Sequence, residues 1–133
     1  MHGYTCEDRS AYIDISRIAF FNMRVDYLKI KGPALCKKLD AESRFDKGSA
    51  SSIGSVNCKN YYDKRTNFEV SVHWSRSVTW FVVHVDYYKV GVRKMSDYLK
   101  YENKCAQKLF DYFNALSEKI GLGIKLKLVE KPP

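Results

Sequence analysis

The chain has 133 residues, the size of one domain, with 45% hydrophobic and 29% charged residues, enough for a core and a polar surface. Lys and Arg outnumber Asp and Glu by 23 to 15, a net charge of +8, which favours an anionic partner such as nucleic acid or an acidic protein surface. No apolar run is long enough for a bilayer, and MHGYTCEDRSAY carries no basic segment followed by an apolar one, so membrane and exported classes are set aside and a cytoplasmic protein is expected.

Residues 1–21 are expected as an N-terminal extension. Within it, Tyr12, Ile15, Ile18 and Ala19 recur at helical spacing and predict a helix over 7–21, although Ile13 and Phe20 also fit a strand. In NMRVDYLKIKGP, Met23, Val25 and Tyr27 alternate with Arg24 and Asp26, which predicts a strand ended by Gly32-Pro33. Pro33 suits the first turn of a helix, and Leu35, Leu39 and Phe45 share a face over 33–45. The Gly-, Ser- and Asn-rich run over 46–60, DKGSASSIGSVNCKN, reads as a flexible loop.

FEVSVHWSRSVTWFVVHV, residues 68–85, predicts a hairpin turning at Arg76-Ser77. That register pairs Val72 with Phe81, Val70 with Val83 and Phe68 with Val85, so all six share one buried face; a slip by one residue would mix the faces. Leu99, Ala106, Leu109, Phe113, Leu116 and Ile120 predict a helix over 96–120, closed by Gly121. Its bulk, with Phe110, Tyr112 and Phe113 adjacent, exceeds one stripe and points to packing on two sides, which a homodimer would satisfy. GIKLKLVE predicts a last strand over 124–129, and residues 131–133 are tail. The sum is a single α+β domain over 1–133 with a ferredoxin-like β-α-β-β-α-β core: four antiparallel strands, both helices on one face.

In this arrangement Trp80 lies opposite His73, and His84 opposite Glu69, on the sheet face away from the helices. An aromatic there can stack unpaired bases. The topology resembles that of RNA-recognition modules, which use such sheets this way. Their third-strand pattern, a basic residue then Gly and alternating aromatics, is absent from TWFVVHV. The competing account is that the N-terminal segment, with Phe20 and Phe21, packs over this face. Lys100, Lys104 and Lys108 form a stripe on the long helix that could track phosphates, extended by Arg93, Lys94, Lys125 and Lys127.

A third arrangement concerns metal chemistry. His84, His73 and Glu69 have ligand character for a divalent ion, and Tyr101-Glu102-Asn103-Lys104 resembles the Tyr-x-x-Lys of replication initiators and relaxases. That resemblance implies Tyr101 as nucleophile. Their His-x-His strand is here His84-Val85-Asp86, which replaces an imidazole by a carboxylate. Cys6, Cys36, Cys58 and Cys105 have no zinc-finger spacing and are expected as reduced thiols. Phosphate-loop, dinucleotide and serine-hydrolase motifs do not occur. The expectation is a cofactor-free module binding nucleic acid through Trp80, His73 and the basic residues. A protein-binding or inhibitory module is the alternative, and a metal-dependent nicking enzyme the third.

Overall fold

The computed structural model describes residues 2–6, 12–13, 22–66, 68–85 and 95–130, with side chains described for 22–66, 68–84 and 107–126. Among the described residues eight strands and two helices follow in order: β1 (His2–Cys6), β2 (Tyr12–Ile13), β3 (Asn22–Asp26), α1 (Gly32–Asp40), β4 (Phe45–Ile53), β5 (Val56–Asp63), β6 (Phe68–Trp74), β7 (Thr79–Val85), α2 (Met95–Ile120) and β8 (Leu126–Glu130). The main sheet is antiparallel with strand order β2-β3-β7-β6-β5-β4, and β1 pairs with β8 in a separate two-stranded ribbon.

This overturns the ferredoxin-like core. The stretch expected as a loop over 46–60 forms most of a hairpin, β4 with β5, and the chain from Phe45 to Val85 is a four-strand meander. The added hairpin takes the sheet edge beside β6, while β3 closes on β7 and β2 on β3. The last strand therefore leaves the sheet and pairs with β1. In the N-terminal extension, Tyr12–Ile13 is strand and not helix. The rest of the helix expected over 7–21 lies outside the described residues, as do the tail and any cover formed by Phe20 and Phe21.

The hairpin over 68–85 has the register that the alternation dictates: Phe68 opposite Val85, Val70 opposite Val83, Val72 opposite Phe81. Val70, Val72, Phe81 and Val83 are buried, and Met23 and Val25 of β3 join them on the same face. Both helices cover that face. From α1 come Leu35 and Leu39, and from α2 Leu109, Phe110, Phe113 and Leu116. Phe113 meets Phe81 edge-on, and Tyr112 stacks on Phe68 with centroids 4.0 Å apart.

Backbone and side-chain hydrogen bonds fix the ends of these elements. Helix α2 closes at Gly121 (φ 71°), where Leu122 N–H donates to Ser117 O at 2.8 Å and Gly121 N–H to Glu118 O at 3.2 Å. This is the paired terminal geometry that glycine permits after a last turn. Lys38 of α1 donates to the Ile120 carbonyl at 3.0 Å, where a cation complements the helix end. Asn114 exchanges two hydrogen bonds with the backbone of Leu126, and Ser117 two with Ile124, so the return toward β8 is pinned to α2.

Beneath the sheet, Asp63 is wholly buried and accepts from Arg44 Nη2 at 2.6 Å, Arg44 Nε at 2.9 Å, Tyr112 OH at 2.7 Å and Arg65 N–H at 2.9 Å. Nearby, Asp40 of α1 accepts from Tyr61 OH at 2.9 Å and Lys59 Nζ at 3.1 Å. These two carboxylates tie the β4–β5 hairpin to the helices, which is how a Gly- and Ser-rich segment becomes regular structure.

Candidate functional site

Because successive strand residues face opposite ways, burying Met23, Val72 and Phe81 under the helices turns Arg24, His73 and Trp80 to the other face. Antiparallel register then sets them side by side. Trp80 is directly opposite His73, and His73 directly opposite Cys58. Arg24, opposite Val82 on β3, reaches diagonally to Trp80. The imidazole and indole are stacked, centroids 5.2 Å apart and planes 4° from parallel. On the indole's other side the Arg24 guanidinium carbon lies 4.7 Å from the ring centroid. Beyond His73, its Nε2 is 3.8 Å from the Cys58 thiol. A row of guanidinium, indole, imidazole and thiol thus crosses four strands.

The two ends of the row have partners beyond it. Arg24 forms an ion pair with Asp26. Cys58 Sγ lies 3.5 Å from Asn60 Oδ1, which also accepts from Ser71 Oγ at 2.6 Å. His84 Nδ1 is hydrogen-bonded to Asn22 Oδ1 at the far end of the face, with Glu69 across the ladder.

The electrostatics fix the protonation states. Burial pushes the His73 pKa below its ordinary value, with further lowering from the Arg24 charge and from coupling to His84. Burial also lowers His84, against an opposing pull from Glu69. Both imidazoles are therefore neutral at pH 7. Burial raises the Cys58 thiol, with a smaller contribution from Cys36. A protonated thiol beside a neutral imidazole is not an activated nucleophile, which requires thiolate character. Cys36 and Cys58 are both free thiols.

The structure brings together only part of the residue set expected from sequence. Trp80 and His73 are in contact, but Lys108 is exposed on α2, with the sheet between it and Trp80. Lys125 is exposed in the return before β8. Lys100 and Lys104 lie in α2 and Lys127 in β8, with side chains outside the described residues; Arg93 and Lys94 lie outside them altogether. Glu69, His73 and His84 share a face, with His73 stacked on Trp80 and His84 hydrogen-bonded to Asn22. Among the described residues no group of three His, Cys, Asp or Glu is placed to hold a metal ion. Tyr101 falls in α2, and its side chain is not described.

Sequence reasoning passed over Arg24 and Cys58. The signal for Arg24 was present, since it alternates with Met23 and Val25 and so must face away from the core. Only the pairing of β3 with β7 makes it a neighbour of Trp80. Cys58 sat in the segment expected to be a loop.

No protein-family model matches the chain, and no curated protein or solved structure gives a significant match. No described helix is long and apolar enough to cross a membrane.

Proposed function

We propose that this protein is a non-enzymatic nucleic-acid-binding module that takes single-stranded DNA or RNA across the sheet face bearing Arg24, Trp80 and His73. The observation that carries the reading is the row itself, a cation, an indole and a neutral imidazole held in line on a chain of net charge +8. In the free protein both faces of Trp80 are taken. His73 is held on a strand, whereas Arg24 is a long side chain whose charge is matched to phosphate. An incoming base replaces the guanidinium on the indole, and Arg24 swings to the backbone phosphate. Lys108 is no part of this path, because the described face of α2 packs on the opposite side of the sheet.

The test is fluorescence anisotropy of a labelled 20-mer single strand over a salt series. Trp80→Ala is expected to weaken binding by about 1–3 kcal/mol, the value of one base–aromatic stack. Arg24→Ala is expected to lower the salt slope by about 0.7, the share of one phosphate contact on a single strand. Salt-independent binding by the parent, or unchanged binding by Trp80→Ala, would overturn the reading.

A second reading, that of a protein-binding module, has an observation of its own. Strand β4 is a sheet edge with eight consecutive exposed residues, and Ile53 at its tip is 84% exposed. From Gly48 to Ile53 it carries no charge and no proline, the devices that usually blunt an edge, although a bulge between Lys47 and Ala50 breaks its ladder. An extended peptide of a partner protein could add there as a further strand. Ser51→Pro would abolish such capture and leave oligonucleotide binding intact.

A further inference from the structure

At one end of the sheet, the loop between β3 and α1 meets the turn of the β6–β7 hairpin. Between them lies a cavity of about 80 Å³ lined by residues 28–33 and 74–79. That is far below the roughly 300–1,000 Å³ of a small-molecule site, but it admits a single phosphate group. Three of its lining residues are cationic, Lys29 and Lys31 from the loop and Arg76 from the turn, with the hydroxyls of Ser75 and Ser77 beside them. No carboxylate lines it, and the first turn of α1 contains none. The ion pairs among the described residues engage Arg24, Arg44, Lys59 and Lys64, and none of the three cavity cations.

The walls are held rigidly. Leu28 N–H donates to Thr79 O and Ser75 N–H to Val78 O, each at 2.9 Å, tying loop to hairpin and closing the turn. Tyr27 takes a left-handed φ of 56° at the corner where the chain leaves β3. Gly32 lies so close to Trp74 that an added Cβ would come within 2.2 Å of the indole. The tied backbone brings the stems of the three cations to one corner, so that only their side chains have to be ordered when an anion binds. The cavity lies at the end of the β6–β7 hairpin, just past the row: Trp74 and Thr79 face the helix side of the sheet, and Ser75 and Val78, which follow them toward the turn, close its end.

We infer that this corner is a phosphate pocket, in which Lys29, Lys31 and Arg76 hold a backbone phosphate of the single strand whose base stacks at Trp80. The inference rests on the nucleic-acid reading and adds the place where the strand is anchored.

Two arms test it. In the first, Lys29, Lys31 and Arg76 are changed together to Ala, and binding of a labelled oligothymidylate 20-mer is followed against salt. Affinity at 0.1 M salt is expected to fall at least tenfold, with the slope lower by about 0.7 for each phosphate no longer neutralised. A control with the same charge change, Lys37, Lys64 and Lys119 to Ala, keeps the parental slope. If both triple variants bind alike, the pocket is overturned and the sheet-face reading stands. In the second arm inorganic tripolyphosphate is titrated into the Trp80→Phe protein, where Trp74 is the remaining tryptophan of two. A saturable change in Trp74 emission that the pocket variant lacks supports the pocket. No change in emission overturns it, whatever the oligonucleotide does. Tripolyphosphate binding without oligonucleotide binding retains a phosphate pocket and removes the nucleic-acid reading.

Discussion

Asp63→Ala is expected to destabilise the fold by about 3–5 kcal/mol, the cost of breaking a buried ion pair from one side. Asp63 is fully buried at the end of β5 and receives two of the three Arg44 nitrogens on one oxygen, together with the Tyr112 hydroxyl. Without it, the Arg44 guanidinium and the Tyr112 hydroxyl lose their partner in a largely dry site, and an unsatisfied buried polar group costs its desolvation. Urea unfolding measures the loss; a change under about 1 kcal/mol, the bottom of that desolvation range, would mean that Arg44 and Tyr112 find water.

The same group sets an acid limit. Burial alone would raise the Asp63 pKa, but hydrogen bonds from Arg44 and Tyr112 outweigh it and hold the carboxyl below its usual range. Asp40 is likewise held low, burial being outweighed by Tyr61 and Lys59. A depressed folded-state value means stability that is complete above the unfolded carboxylate value of about 3.9 and lost as pH falls through the folded one. Stability should decline below about pH 4, less steeply in Asp63→Ala.

Phe113→Ala is expected to cost a similar amount, about 3–5 kcal/mol, through lost burial and the cavity left behind. Phe113 is 1% exposed and meets Phe81 edge-on at 5.7 Å, so it joins α2 to the sheet centre. Lys108→Ala, on the exposed side of the same helix, should stay within about 0.5 kcal/mol of the parent. Equal effects of the two substitutions in chemical denaturation would mean that the buried face of α2 is wrongly assigned.

These two sites differ in how far the sequence announces them. Phe113 stands in a helical period with Leu109, Leu116 and Ile120, and the period alone turns it inward. The 68–85 hairpin is equally legible, because a one-residue slip would put Trp80 where Phe81 belongs. Asp63 and Arg44 are different. They flank the segment whose Gly and Ser content resembles a loop, and β4 has no alternation to read, since it buries only Phe45. Its order comes from pairing with β5, which Tyr61 and Asp63 anchor to the helices. The last strand shows a further limit, for the alternation of Lys125 and Lys127 with Leu126 and Leu128 marks a strand without naming its partner. For the site, the alternation put Trp80 beside His73 but could not supply Arg24, whose place depends on β3 lying against β7. Nor could it separate Lys108 of α2 from that face, which required knowing that the sheet lies between them.

Binding across the sheet face is tested most directly by photochemical cross-linking of the intact protein to a bromouridine-substituted single strand, with the adducts located by mass spectrometry. Adducts are expected at Trp80 and in the β3 and β6 peptides containing Arg24 and His73, and they should disappear on competition with unlabelled strand. Adducts confined to α2, or none under conditions where the strand binds, would contradict it.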